Sequence, residues 1–209
     1  MIVLSEHRPD TCGAMLAEPY YLPKESCMLS PIQKRKLARF FFVCDTDKNG
    51  TLEKADYERI VNNLAALQNW KPGDSGYDRL YANFVGNIWE HLAQFGDTDN
   101  DNRVTLDEWF AYCDEMLSSE ESYKNEVYSR ALLVFEALDT NRDGRYTVED
   151  FVQFYHAYGI DTELAAPAFK RLDRDGSGEL SMEEVAPICF DFHYSEDPSN
   201  PCNYFYGTF

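Results

Sequence analysis

The chain carries a twelve-residue acidic pattern, most regular in Asp173-Arg-Asp-Gly-Ser-Gly-Glu-Leu-Ser-Met-Glu-Glu184 (loop four). Oxygen-bearing side chains stand at positions 1, 3, 5, 9 and 12 of this stretch, glycine stands at position 6, and an apolar residue stands at position 8. Three related stretches precede it, at residues 45–56 (loop one), 97–108 (loop two) and 139–150 (loop three). Internal repetition of this kind indicates that the protein is built from one structural unit used four times.

Amphipathic segments flank the loops, because apolar residues recur there at the i, i+3, i+4, i+7 spacing of a helix face. The segment Ser30-Pro31-Ile32-Gln33 adds a helix start, since serine is a good N-cap, proline suits the first turn and glutamine closes a capping box. The repeated unit is therefore predicted to be helix, acidic loop, helix. The apolar stripes around loop one are Leu37, Phe40, Phe41 and Cys44 before it, and Tyr57, Ile60, Val61 and Leu64 after it.

These elements predict an all-α fold in which four helix-loop-helix units form two paired lobes of one compact body. Loop-forming Pro and Gly residues between units mark the boundaries. The expected parts are an N-terminal extension (1–29), unit one (32–67), unit two (84–119), unit three (126–159), unit four (160–195) and an aromatic C-terminal tail (196–209).

The charge of the chain restricts its partners. Nineteen basic residues oppose 37 acidic ones, which gives a net charge of -18, and such a surface repels phosphates and anionic lipids. Nucleic acid is therefore not expected as a partner, whereas divalent cations are. No apolar run is long enough for a transmembrane segment, and the N-terminus lacks the pattern of a signal peptide.

The remaining composition favours a cytoplasmic, monomeric protein that is not an enzyme. The six cysteines are never spaced like a zinc site or a redox pair, so we expect reduced thiols. The four histidines lie outside the loops, and no Ser, His, Asp set is recognisable. We expect no catalytic residue and no organic cofactor.

The loop residues match the ligand requirements of calcium. Calcium takes about six to eight oxygen ligands, supplied by side chains at loop positions 1, 3, 5, 9 and 12 and by the backbone carbonyl of position 7. The candidate ligands are Asp45, Asp47, Asn49, Thr51, Glu53 and Asp56; Asp97, Asp99, Asp101, Arg103, Thr105 and Glu108; Asp139, Asn141, Asp143, Arg145, Thr147 and Asp150; and Asp173, Asp175, Ser177, Glu179, Ser181 and Glu184.

Position 6 must turn with positive φ, which glycine adopts without a Cβ penalty. Gly50, Gly144 and Gly178 meet this requirement, while loop two has Asn102, a residue that tolerates the left-handed region better than most. Loop two is therefore expected to form with slight strain.

Position 8 predicts how the loops associate. It is apolar every time (Leu52, Val104, Tyr146, Leu180), and such residues form a short two-stranded contact between neighbouring loops. Loop one is expected to pair with loop two, and loop three with loop four.

This combination of loops resembles the EF-hand superfamily. The four-loop layout, the chain length and the aromatic ending at residues 192–209 are similar to the sarcoplasmic calcium-binding proteins and calexcitins. The resemblance covers residues from about 30 to the end. It implies two paired EF-hand lobes, an aromatic tail folded onto the body, and a role in buffering cytosolic calcium.

The twelfth position sorts the loops by ion preference. Glutamate reaches an ion with both oxygens, whereas aspartate is one methylene shorter, and the loss of one oxygen favours magnesium relative to calcium. Asp56 and Asp150 therefore mark sites one and three as mixed Ca/Mg sites, with magnesium competing. Glu108 and Glu184 mark sites two and four as more calcium-selective.

Two alternatives to a buffer stay open. The first is a calexcitin-type calcium sensor that binds a protein target on calcium loading, although the five methionines are scattered rather than clustered. The second, a lesser alternative, is a luciferin-binding or photoprotein-like protein, in which the many aromatic residues line a cavity for an organic ligand instead of filling the core.

The basic run Lys34, Arg35, Lys36 is interpreted as a solvated helix face.

Overall fold

The computed structural model describes residues 29–208, except for the side chains of residues 120–122 and 124–129. The predicted extension, apart from Leu29, and the last residue of the tail, Phe209, lie outside the described residues.

Helices flank all four loops. Loop one lies between α1 (Pro31–Cys44) and α2 (Lys54–Leu67). Loop two follows α3 (Ser75–Tyr81), a π-helical segment (Ala82–Trp89) and α4 (Glu90–Phe95), and it precedes α5 (Leu106–Leu117). Loop three lies between α6 (Glu120–Leu138) and α7 (Val148–Ala157), and loop four between α8 (Ala165–Leu172) and α9 (Met182–Tyr194). Short 3₁₀ turns occupy Thr162–Leu164 and Pro201–Tyr204. The predicted all-α fold is confirmed.

The first helix begins where the sequence predicts. The Gln33 side chain accepts a hydrogen bond from the backbone N–H of Ser30 at 2.9 Å, and the Ser30 hydroxyl accepts one from the N–H of Gln33. Pro31 occupies the first turn, where a backbone N–H has no helical partner to lose. This capping box fixes the point at which the chain enters unit one.

The loops associate in the predicted pairs. Leu52 and Val104 exchange backbone hydrogen bonds of 2.8 and 2.9 Å in an antiparallel bridge. Tyr146 and Leu180 do the same at 2.9 and 2.7 Å. Each lobe is therefore held together between its two loops as well as by helix packing.

One apolar core runs through both lobes and includes the C-terminal tail. Phe41 of α1 and Phe192 of α9 are fully buried in the same cluster. Phe205 and Tyr206 of the tail are buried as well, and the Tyr206 ring lies 4.6 Å from that of Phe40. The expected packing of the tail on the body is confirmed for these two residues.

Within residues 29–208, no helix has the length and apolar character that a membrane crossing requires.

The basic run on α1 corrects one expectation. Lys34 and Arg35 are exposed, but Lys36 is completely buried. Its ammonium donates a hydrogen bond to the carbonyl oxygen of Ser195 at 2.6 Å and lies 5.7 Å from the ring centre of Phe192. Burial lowers the pKa of Lys36 to about 8. Lys36 is thus a packing residue of the core and not part of a solvated face.

Candidate metal centre

The first carboxylate of every loop organises the turn around it. Asp45 accepts backbone hydrogen bonds from positions 5 and 6 of loop one, Asn49 at 3.1 Å and Gly50 at 2.9 Å. The same two bonds recur in the other loops, where the acceptors are Asp97, Asp139 and Asp173. Each loop therefore wraps its backbone N–H groups around an acidic side chain.

Position 6 has the predicted left-handed backbone in all four loops. Gly50, Gly144 and Gly178 have φ values of 87°, 74° and 83°. Asn102 adopts φ 64° in loop two, so the asparagine makes the turn that glycine makes elsewhere.

The twelfth residue of each loop caps the helix that follows. Its carboxylate accepts the backbone N–H of position 9, and that position is the N-cap of the outgoing helix. The distances are 2.8 Å at Asp56 and 2.9 Å at Glu108, Asp150 and Glu184. Sequence reasoning assigned these residues only as ion ligands and missed this second role, although Thr105-x-x-Glu108 and Ser181-x-x-Glu184 carry the capping-box signal.

Carboxylate oxygens converge in the N-terminal lobe. One oxygen from each of Asp45, Asp47 and Asp56 lies within 4.8 Å of the others, and the same is true of Asp97, Asp99 and Glu108. Oxygens at this separation repel one another unless a cation lies among them. Hard carboxylate oxygens are the donors that calcium and magnesium prefer, so the residues fit a divalent ion.

The ligand positions of loops three and four hold fewer carboxylates. An amide, Asn141, stands at position 3 of loop three, and its Nδ2 donates a hydrogen bond to Asp143 at 2.8 Å. A hydroxyl, Ser177, stands at position 5 of loop four and donates to the carbonyl oxygen of Glu179 at 2.8 Å. These neutral oxygens are also hard donors, so the C-terminal lobe keeps the required chemistry at a lower charge density.

Glu108 is held as a carboxylate. Hydrogen bonds from the backbone of Thr105 and from Thr98 outweigh desolvation and lower the pKa of Glu108 to about 2. The side chain is therefore ionised at neutral pH. This is the state required of an ion ligand.

Loop one contains an internal cation that sequence reasoning missed. Nη2 of Arg59 lies 2.7 Å from Oδ1 of Asp56 and 2.9 Å from Oδ2 of Asp47, so the guanidinium joins positions 3 and 12 of the loop. Arg59 comes three residues after position 12, on the second turn of α2. The signal is visible in the sequence, because Ala111, Gln153 and Pro187 stand at the equivalent places in the other units.

Comparison with known proteins points to the same kind of site. The family model described as EF hand matches residues 133–155 and 164–186, which include the whole of loops three and four. Calerythrin of Saccharopolyspora erythraea is 27% identical over 169 residues, covering 80% of this chain and 95% of that protein. Calexcitin-1 of Caenorhabditis elegans is 21% identical over 192 residues, covering 89% and 91%. The structure of an amphioxus sarcoplasmic calcium-binding protein superposes with a TM-score of 0.65 at 17% identity, covering 87% of this chain and 99% of the other.

Proposed function

We propose that this chain, which belongs to the EF-hand superfamily together with its relatives calerythrin, calexcitin and the sarcoplasmic calcium-binding proteins, is a cytoplasmic buffer of calcium and magnesium. The observation that carries the proposal is the shared hydrogen-bond scheme, in which positions 1 and 12 of all four loops hold carboxylates in the same orientation. Calcium binding is what the EF-hand family implies.

The proposed ligands are the residues at positions 1, 3, 5, 9 and 12, with the carbonyl of position 7. A bound ion would supply a double positive charge, and the loop residues would bind it through their oxygens and orient it. Carboxylates number four, four, three and three at these positions in loops one to four. Their mutual repulsion is relieved by the ion, so metal binding stabilises the folded chain.

Ion preference is proposed to follow the twelfth position. Sites one and three, with Asp56 and Asp150, take calcium or magnesium, and sites two and four, with Glu108 and Glu184, are more selective for calcium. Titration calorimetry with calcium, in buffers with and without millimolar magnesium, tests this assignment. The assignment is supported if magnesium lowers the calcium affinity of two sites and leaves that of the other two unchanged. Equal competition by magnesium at all four sites contradicts it.

The packing of the tail favours a buffer over a sensor. Arg39 of α1 donates a hydrogen bond to the carbonyl oxygen of Tyr206 at 2.9 Å, and the Tyr155 hydroxyl of α7 donates to the carbonyl oxygens of Tyr204 and Phe205 at 3.3 Å. Helices of units one and three thus hold the same tail segment. A sensor has to open a groove for a target protein, and opening here requires these contacts to break.

Small-angle X-ray scattering distinguishes the two roles. A buffer is expected to keep the same radius of gyration in calcium and in magnesium. A calcium-specific expansion, with a target protein bound only in calcium, supports the sensor instead.

A luminescence measurement tests the lesser alternative, a luciferin-binding or photoprotein-like role. Mixing the protein with coelenterazine and then with calcium produces emission only if that alternative holds.

The cytoplasmic location is supported by the thiols. Cys44, Cys113, Cys189 and Cys202 are free cysteines within the described part of the chain. Oxidising compartments favour disulfides, so free buried thiols are typical of a reducing one.

Gel filtration tests the proposed monomer, and a dimer at micromolar concentration contradicts it.

A further inference from the structure

The helix that leaves loop one also contacts both helices around loop three. This helix, α2, runs over Lys54–Leu67 and is about 21 Å long. Near its end, Asn63 donates a hydrogen bond from Nδ2 to the carbonyl oxygen of Ala157, the last residue of α7, at 2.9 Å. Gln68, the residue that follows α2, donates from Nε2 to carbonyl oxygens at the end of α6. Both contacts pass from one lobe to the other.

Gln68 contacts carbonyl groups that α6 cannot pair by itself. The end of an α-helix leaves four C=O groups without a helical N–H partner. Nε2 of Gln68 lies 3.1 Å from the carbonyl oxygen of Asp139 and 3.2 Å from that of Ala137. A third carbonyl oxygen, that of Glu136, lies at 3.4 Å, and that of Leu138 accepts a backbone N–H within the turn. A side chain from unit one thus completes the hydrogen bonding of this helix end.

The contact of Gln68 ends on a candidate ion ligand, because Asp139 is position 1 of loop three. The Asp139 carboxylate accepts the backbone N–H groups of positions 5 and 6. Gln68 holds the backbone carbonyl of the same residue. Among the side chains described in residues 29–208, none donates a hydrogen bond to the position 1 carbonyl of loops one, two or four. Loop three therefore differs from these loops in having its first ligand residue held from the other lobe.

The other end of α2 belongs to loop one. Asp56, position 12 of that loop, lies on the first turn of α2, and its carboxylate accepts the backbone N–H of Glu53 at 2.8 Å. An ion bound to Asp56 would relieve the repulsion among the carboxylates of loop one and restrain the start of α2. Rigid helices can carry energetic coupling between distant sites. One end of α2 thus lies in an ion loop, and its other end supports a second ion loop.

Restraint of α2 at one end is expected to favour ion binding at the other. Ordering a helix reduces conformational entropy, and the ion that binds first has to supply the free energy for that ordering. The second ion then meets a helix that is already in place, so the coupling has a positive sign. Coupling between two binding sites is reciprocal, so each loop should raise the ion affinity of the other by the same factor.

We propose that Gln68 is a positioning residue of site three and that, through α2, it couples ion binding in loop one positively to ion binding in loop three. The inference rests on the proposed function, because it requires both loops to bind ions. It adds to the backbone bridges, which connect loops within one lobe only. Sites one and three are the two with aspartate at position 12, so the coupling joins the two sites proposed to accept magnesium.

A calcium titration that resolves the four loops tests the positioning role. The full-length protein is titrated without magnesium, and NMR follows the backbone amide signals at position 6 of each loop, Gly50, Asn102, Gly144 and Gly178. Gln68→Met keeps the length of the side chain and removes both N–H donors. We expect the calcium affinity of loop three to fall about fivefold, roughly 1 kcal/mol, because a helix end loses its hydrogen-bond donor. The affinity of loop four should stay the same.

A second variant, Asp45→Asn, measures the coupling itself. It removes the carboxylate at position 1 of loop one, so that loop one no longer fills at the calcium concentrations that fill loop three. We expect the calcium affinity of loop three to fall about threefold as a result. When Asp45→Asn is added to Gln68→Met, the further loss at loop three should be less than about twofold, because the connection is already broken. A merely structural role of Gln68 would leave the full effect of Asp45→Asn in place.

Three further variants complete the test. Gln153→Met makes the same substitution at an exposed position of α7 and should change no loop affinity. Gln68→Lys places N–H donors at the original position and should restore the coupling factor. If Gln68→Met does not fold, Asn63→Ala removes the other contact from an exposed position and should lower the calcium affinity of loop three about twofold. Unchanged affinity in that variant would count against the proposal.

The outcomes separate this proposal from the buffering role. Equal weakening of loops three and four by Gln68→Met would overturn the positioning role while the loops still bind calcium. The same effect of Asp45→Asn on loop three with and without Gln68 would overturn the coupling. If no loop of the unmodified protein takes up calcium, the proposed function fails and this inference fails with it.

Discussion

Loops one and two each place four carboxylates at the ligand positions, and they sit side by side in one lobe, joined by the Leu52–Val104 bridge. They differ in how that charge is balanced. In loop one, Arg59 contacts Asp56 and Asp47, and Arg103 reaches Glu53 at 3.3 Å. Within residues 29–208, the four carboxylates of loop two form no ion pair with lysine or arginine.

From this difference we expect that equal numbers of carboxylates do not give ion sites of equal affinity. An ion that enters loop one has to displace the guanidinium of Arg59 from two candidate ligand residues, Asp47 and Asp56. Asp56 is fully buried. An ion that enters loop two relieves repulsion with nothing to displace. Loop two is therefore expected to bind more tightly, and loop one to keep more of its structure without metal.

The largest expected effect is that of metal removal. At about 100 times its dissociation constant, an ion adds roughly 2.7 kcal/mol per site, and about 1 kcal/mol moves the Tm of a chain this long by roughly 2–4 °C. Excess chelator should lower the Tm by more than about 10 °C. Hydrogen exchange should show greater loss of protection in α5 than in α2. A Tm that does not change, or greater loss in α2, breaks the comparison.

A ligand variant of loop two should have the next largest effect. Glu108→Gln removes the charge of position 12 and is expected to weaken that site about 100-fold, roughly 2.7 kcal/mol. Asp107→Asn makes the same charge change on the exposed neighbouring residue and serves as the control. Calorimetry should lose one high-affinity calcium for Glu108→Gln only. If both variants lose it equally, the effect is general electrostatics and not ligation.

Removing the internal cation should act in the opposite direction. Arg59→Gln is expected to raise the divalent-ion affinity of loop one by about tenfold, because no guanidinium then competes for Asp47 and Asp56. The same variant should lower the Tm in chelator by a few degrees, since the buried carboxylate of Asp56 loses its one positively charged partner within residues 29–208. Reduced calcium affinity in this variant would mean that Arg59 supports the site.

The reciprocal variant transplants the arginine. Ala111 is the exposed equivalent of Arg59 in loop two. Ala111→Arg should weaken calcium binding at loop two several-fold, since exposed ion pairs contribute about 0.2–1 kcal/mol. The difference in calcium affinity between loops one and two should therefore become smaller. The matched neutral variant Ala111→Gln should leave calcium affinity unaltered. If both variants weaken binding alike, side-chain bulk and not charge is the cause.

Local features of the molecule were predictable from sequence. The capping box at Ser30, the left-handed turn at Asn102 and the pairing of Val104 with Leu52 all follow from residue chemistry over a few positions. The family resemblance added the buried tail. Rules of this kind depend on neighbours in the chain, and the sequence shows those neighbours directly.

Features that depend on tertiary packing were not predictable. The burial of Lys36 depends on α9 and Ser195, which are about 160 residues away in the chain. Arg59 is an intermediate case, because its spacing from Asp56 is visible in the sequence but its contact with Asp47 depends on how the loop folds back.

The most direct test of the account is a calcium titration of the intact protein at micromolar free calcium, with magnesium absent and the occupancy of each loop followed by NMR. We predict that the protein retains calcium and that loop two fills at a lower calcium concentration than loop one. In Arg59→Gln, we predict that the two loops fill at similar calcium concentrations. A protein that retains no calcium under these conditions would contradict the central claim that its acidic loops are ion sites.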